Sequence, residues 1–191
     1  MELYDYEKKH IELLRKAACE CMVLLKSDGT FPLEKACEVA LYGSGARKTI
    51  KGGTGSGDVN VRHYVTIEEG LKNAGFQITT SDWMDEYEVK YKDARKLFVK
   101  EIKQDADKKG MPAFLLGMGA VMPEPEYELP IQKDGDLAIY VLSRISGEGS
   151  DRKPIAGDLK LTRTEVRDIL YLNEHFQKFM LVLNVGGIVD L

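Results

Sequence analysis

Three runs of the sequence are apolar without alternation: Glu38 to Tyr42 (Glu-Val-Ala-Leu-Tyr), Asp136 to Ser143 (Asp-Leu-Ala-Ile-Tyr-Val-Leu-Ser) and Phe179 to Asn184. Each is separated from the next by stretches of helical periodicity. A strand that is apolar at every position must be covered on both faces, and helices between such strands supply the cover. This pattern predicts an α/β fold, a mostly parallel sheet with helices on both faces, as in an α/β sandwich with a flavodoxin-like layer. The chain stops four residues after Gly187, where a loop would lead into another helix and strand, so the expectation is a truncated sheet and a piece of a longer protein.

The remaining elements fit between these strands. From Tyr6 to Leu25 the positions Ile11, Leu14, Ala18, Cys21 and Leu25 recur at spacings of three and four, which predicts an amphipathic leading helix over residues 4–27. Thr66 with Glu69, and Thr162 with Glu165, have capping-box spacing and open two further helices, the first closed by Gly75 and the second reaching about Gln177. Phe76 to Thr79 reads as another strand. A long charged helix starts near Ser81 or Asp82 and continues with interruptions to about Lys109, with Trp83 as a half-buried anchor. Pro112, Pro123, Pro125 and Pro130 forbid a continuous helix over the next twenty residues. A length of 191 residues suits one domain, residues 1–191, with the sheet-and-helix core at 37–191.

Composition narrows the function. A net charge of -4 gives no global attraction for nucleic acid or an anionic membrane surface. The longest apolar runs fall far short of the roughly 18–20 residues that span a bilayer. The amino terminus has neither the basic start nor the apolar stretch of a secretory signal, so the expected location is the cytoplasm. Cys19, Cys21 and Cys37 are an odd number in no zinc-like spacing, so they are expected to be buried free thiols, and no metal or cofactor is expected.

In a parallel sheet, ligands meet the loops at the carboxyl ends of the strands. Two such loops stand out. Lys51 to Asn60 places four glycines within Gly52 to Gly57 and adds the hydroxyls of Thr54 and Ser56, so its backbone can approach a ligand closely. It is not a phosphate loop of the Walker type, because Asp58 and Val59 follow Gly57 where Lys and Ser or Thr would stand. The dinucleotide fingerprint fails as well, since its helix would open inside the glycines and here it starts near Thr66. Composition alone leaves a surface loop without a ligand role open. The second loop, Ser143 to Arg152, sets Glu148 between Gly147 and Gly149, so its carboxyl can project from a flexible tip.

Taken in order, Lys16 to Lys26 with Phe31-Pro32-Leu33, Val39 to Gly43, the glycine loop, Arg144 to Arg152 and Val182 to Gly187 resemble one family. They are similar to the α/β sandwich domain of glycoside hydrolase family 3, the β-glucosidases. The resemblance implies that a barrel domain of the same protein supplies the aspartate nucleophile, while this domain overhangs the cleft and supplies the general acid/base. That role falls on Glu148. The sugar contact falls on Ser56, with Thr54, Gly55 and Asp58 beside it, and Arg144, Asp151 and Arg152 hold the catalytic loop in shape. The implied substrate is a β-glucoside or oligosaccharide. The chain contains no eight-fold βα pattern, so no nucleophile can be assigned in it and this chain alone is expected to be inactive. The rival reading is a stand-alone, non-catalytic carbohydrate-binding or regulatory domain. A nucleotide or phosphate binder is the third.

Overall fold

The computed structural model describes residues 3–131, 135–146 and 151–191, and of Ser56 the backbone alone. The chain divides into two compact units, residues 1–35 and 36–191.

The first unit contains helix α1, Asp5–Glu20. The Glu7 carboxylate accepts the Tyr4 N–H at 2.7 Å, and Asp5 and Glu7 place negative charge at the positive end of the helix. α1 ends sooner than the periodicity predicts: the Cys21 N–H closes on the Ala18 carbonyl at 3.2 Å, and Met22 to Lys26 form no regular element. Ile11 and Leu14, on the expected stripe, are exposed. The described residues of this unit contain no second element to cover that stripe, so burial within the unit does not reward a longer helix. All three cysteines are free, as expected, but exposed, which corrects the expectation of burial. Cys19 and Cys21 belong to this uncovered segment, and Cys37 precedes the first strand.

The second unit is a four-stranded parallel sheet. Its strands are β1 (Glu38–Tyr42), β2 (Gln77–Ile78), β3 (Leu137–Arg144) and β4 (Lys178–Val185), in the spatial order β2-β1-β3-β4. β1 pairs with β3 through Ala40–Ala138 and Tyr42–Tyr140, and β3 pairs with β4 along its whole length. Val39 to Tyr42 and Leu137 to Leu142 are all buried. Successive side chains point to opposite faces, so both faces of the central strands are covered. The two-residue β2 is extended functionally by Thr80, whose hydroxyl donates to the Leu41 carbonyl at 2.6 Å and accepts the Leu41 N–H at 2.9 Å.

The helices of this unit are α2 (Ile67–Asn73), α3 (Ser81–Lys109), α4 (Ala113–Gly117) and α5 (Arg163–His175). Thr66 caps α2 and Thr162 caps α5 as the spacing predicts, each hydroxyl accepting the N–H three residues on. α3 runs unbroken for 29 residues and stops at Gly110, whose φ of 61° is the left-handed cap that glycine allows. Trp83 is more deeply buried than an anchor at a helix start would be, at 3% exposure, because Tyr42, Tyr87 and Tyr127 enclose it. Among the described residues no helix is long and apolar enough to cross a membrane.

Candidate functional site

The strand order reverses between β1 and β3, since β1 leads outward to β2 while β3 leads outward to β4. The loops that leave these neighbouring strands therefore diverge and open a crevice at their carboxyl ends. The glycine loop follows β1, and the loop carrying Glu148 follows β3.

The exit from β1 needs glycine. Gly43 has φ 90°, and a Cβ there would run into the backbone of Val141 on β3. A Cβ on Gly45 would lie 2.5 Å from the Val141 side chain. The backbone thus hugs β3 before it turns away. Thr49 holds the next turn, donating to the Gly45 carbonyl at 2.7 Å and accepting the Ile67 N–H at 2.9 Å. Asn184 at the end of β4 reaches across and grips Ile50 from both sides: its side-chain oxygen accepts the Ile50 N–H at 2.6 Å, and its amide donates to the Ile50 carbonyl at 3.2 Å.

The two candidate loops then meet. The Thr54 N–H donates to the Ser146 carbonyl at 3.0 Å, and a Cβ on Gly53 would lie 2.9 Å from that same oxygen. Gly186, after β4, approaches Ser146 equally closely. Gly55, with φ 75°, opens the 3-10 turn Gly55–Gly57 that carries the Ser56 backbone. The Thr54 hydroxyl is buried and has no hydrogen-bond partner among the described residues. Asp58 stands exposed at the end of that turn, 3.5 Å from the Lys51 ammonium. Glu148 lies outside the described residues, as do Gly147, Gly149 and Ser150.

What flanks Glu148 is firmly braced. Arg144, buried at the end of β3, donates to the Ser143 carbonyl at 2.8 Å, the Asp158 carbonyl at 3.0 Å and the Glu165 carboxylate at 2.5 Å. Glu165 is also the capping-box residue of α5 and accepts the Thr162 N–H at 2.8 Å. Its one carboxylate therefore ties the helix start to the strand end. On the return side, Asp158 accepts from the Arg152 guanidinium and, at 2.7 Å, from the Lys153 N–H. Of the three residues expected to support the loop, Arg144 and Arg152 carry these bonds, and Asp151 stands exposed.

Sequence reasoning missed Asp158, Glu165 and Asn184 as supports. Glu165 was visible as a cap, but nothing local marks it as the partner of an arginine 21 residues away. Asp168, buried in α5, was missed as well; burial pushes its carboxyl up against the opposing pull of Arg167 and the Tyr127 hydroxyl. No group of three or more His, Cys, Asp or Glu among the described residues could hold a metal ion.

The description "Glycosyl hydrolase family 3 C-terminal domain" matches residues 22–191. Beta-glucosidase A of Butyrivibrio fibrisolvens is 34% identical, the match covering 96% of this chain and 23% of that protein. The beta-glucosidase of Ruminococcus albus is 31% identical, over 94% of this chain and 18% of its own length. Among solved structures, beta-glucosidase 3B from Thermotoga neapolitana in complex with α-D-glucose superposes with a TM-score of 0.69 at 30% identity, covering 97% of this chain and 25% of that one. The chain thus spans about a quarter or less of the length of these relatives.

Proposed function

We propose, from the premise that this chain belongs to glycoside hydrolase family 3 and carries its C-terminal domain, that it serves a β-glucosidase by delivering Glu148 as general acid/base and the Ser56 loop as a sugar contact. The observation that carries this reading is the Thr54 N–H to Ser146 carbonyl bond at 3.0 Å, which joins the glycine loop to the chain two residues before Glu148. Two segments far apart in sequence, each singled out for a different part of the chemistry, meet at the switch point of the sheet.

A retaining glycosidase needs one carboxylate to attack the anomeric carbon and a second carboxyl roughly 5–5.5 Å away to protonate the leaving oxygen. In the proposed enzyme the nucleophile comes from a barrel domain, and Glu148 is the second carboxyl. It gives its proton to the departing aglycone oxygen, then takes one from the water that releases the sugar. Such a group must be held to within a fraction of an ångström, and the bracing of Arg144 and Arg152 by Glu165 and Asp158 gives its loop two fixed ends. Thr54, Gly55 and Asp58 flank the Ser56 contact, and the Thr54 hydroxyl, which has no partner among the described residues, is proposed to meet the ligand.

The test is Glu148→Gln in the enzyme that contains this chain. Hydrolysis of glucosides with poor leaving groups is expected to fall by about 10²–10⁴, the range for a lost general acid, while activated aryl glucosides suffer less. Equal activity of the variant on both substrate types would refute the assignment.

A further inference from the structure

A cavity of about 210 Å³ opens at the carboxyl ends of β1 and β3, between Tyr91 of α3 and the strap of residues 121–124. Ile50, Val121, Met122 and Pro123 give it apolar walls. The strap is fixed in place: the Glu124 N–H donates to the Gly157 carbonyl at 2.8 Å, and the Tyr87 hydroxyl donates to the Glu124 carboxylate. Gly157, with φ 80°, is pressed so close to Glu124 that a Cβ there would lie 2.8 Å from the Glu124 nitrogen.

Most polar groups on this wall are already occupied. Ser143 donates to Asn184, Asp158 is held by Arg152, and Arg144 is held by Glu165 and two carbonyls. Lys48 is different. Its ammonium is buried and has no hydrogen-bond partner among the described residues, lying instead 2.8 Å over the centre of the Tyr91 ring. The ring face meets the charge but supplies no oxygen acceptor, so a ligand that brings acceptors would fill donors the protein leaves open. Glu124 retains acceptor capacity after taking the Tyr87 proton donor.

We propose that this cavity is a binding site for a compact, neutral, polyhydroxylated molecule of about one sugar ring, held by hydrogen bonds from Lys48 and to Glu124 with its carbon face on the apolar wall. The volume lies below the roughly 300 Å³ at which pockets for larger ligands begin. Hydroxyl groups suit both polar residues, because they accept from an ammonium and donate to a carboxylate. A small anion would meet the Glu124 and Asp158 carboxylates as well as Lys48. The site goes beyond the proposed catalytic role and uses neither Glu148 nor Ser56.

The charges around the two groups support the pairing. Burial lowers Lys48 to about 8 against the opposing charges of Glu124 and Glu88, with Lys92 and Arg95 adding to the lowering. Burial, then the charge of Glu165, raises Glu124 to about 7. Binding should therefore weaken as the pH rises past about 8 and the ammonium is lost.

The probe is glucose added to the chain with methyl-labelled methionines. Met122 lines the cavity, Met84 is fully buried in the core, and Met122→Leu assigns the reporting signal. Glucose at millimolar concentration is expected to move the Met122 resonance saturably and leave Met84 in place. Lys48→Leu is expected to weaken the effect by about tenfold or more, the range for a lost hydrogen bond from a charged group. Glu124→Gln, which keeps the shape of the wall, is expected to weaken it less, and Ser56→Ala not at all. A Met122 signal that does not respond in the unaltered chain, or responds to sodium acetate in place of glucose, would overturn the proposal. So would loss of the response in Ser56→Ala, which would move the sugar to the glycine loop. Failure of the Glu148→Gln test touches none of these outcomes.

Discussion

The loops after β1 and β3 leave adjacent parallel strands at the same switch point and are held by opposite means. The glycine loop and its approach are held by close backbone contact: Gly43 and Gly53 let main chain lie against main chain, Gly45 lets it lie against the Val141 side chain, and the Thr54 N–H bonds a carbonyl. The loop after β3 is held by charge: Arg144 on Glu165 and Arg152 on Asp158. A loop of the first kind presents N–H groups and small side chains to a ligand at close range. A loop of the second kind has its two ends fixed by ion pairs. The first should be intolerant of added carbon, the second of lost charge.

The largest effect should come from Arg144→Met, because it leaves the Glu165 carboxylate, 1% exposed, without its cation. Removing one partner of a buried pair costs about 3–5 kcal/mol, read as a drop in urea unfolding midpoint. Adding Glu165→Gln to that variant should recover part of the loss, because the buried charge is gone and the amide still caps α5. Recovery of nothing would mean that Arg144 acts through its packing and its bonds to the Ser143 and Asp158 carbonyls, not through Glu165.

Gly43→Ala comes next. It forces φ 90° on a residue with a Cβ and drives that Cβ into Val141, so the cost should be about 2 kcal/mol or more in the same assay. A neutral result would break the comparison, since the glycine loop would then not depend on close approach. Asp158→Asn should cost about 1–3 kcal/mol through the weakened Arg152 and Lys153 bonds, with amide exchange rising at residues 152–158 and little at 51–58.

The pH response should report on the strap of residues 121–124 that packs beside both loops. Burial raises Glu124 to about 7 in the folded chain, so between its ordinary value of 4.5 and about 7 the folded state binds more protons than the unfolded one. Its contribution to stability is therefore fully present below 4.5 and is lost as the pH rises toward 7. Glu124→Gln should flatten the stability profile across that window. Thr54→Val should be the smallest change, within about 0.5 kcal/mol, because it removes a buried hydroxyl that has no partner among the described residues. In the proposed β-glucosidase the same variant should raise KM for the glucoside.

The sequence by itself determined the strands and the caps. Glu38 to Tyr42 and Asp136 to Ser143 are readable because side-chain period and burial are local properties, and the Thr66 and Thr162 caps because a hydroxyl reaches an N–H only three residues on. Local pattern misled where covering elements decide the outcome: the stripe on α1 has no covering element among the described residues of its own unit, and Trp83 has three aromatic neighbours. Only the tertiary structure decided that Arg144 meets Glu165, that Asn184 grips Ile50 across 134 residues, and that Lys48 lies beside Glu124 in one cavity. These pairings depend on which strands are neighbours and where their order reverses. Strand order is set by the summed packing of both sheet faces, and no short stretch of sequence encodes it.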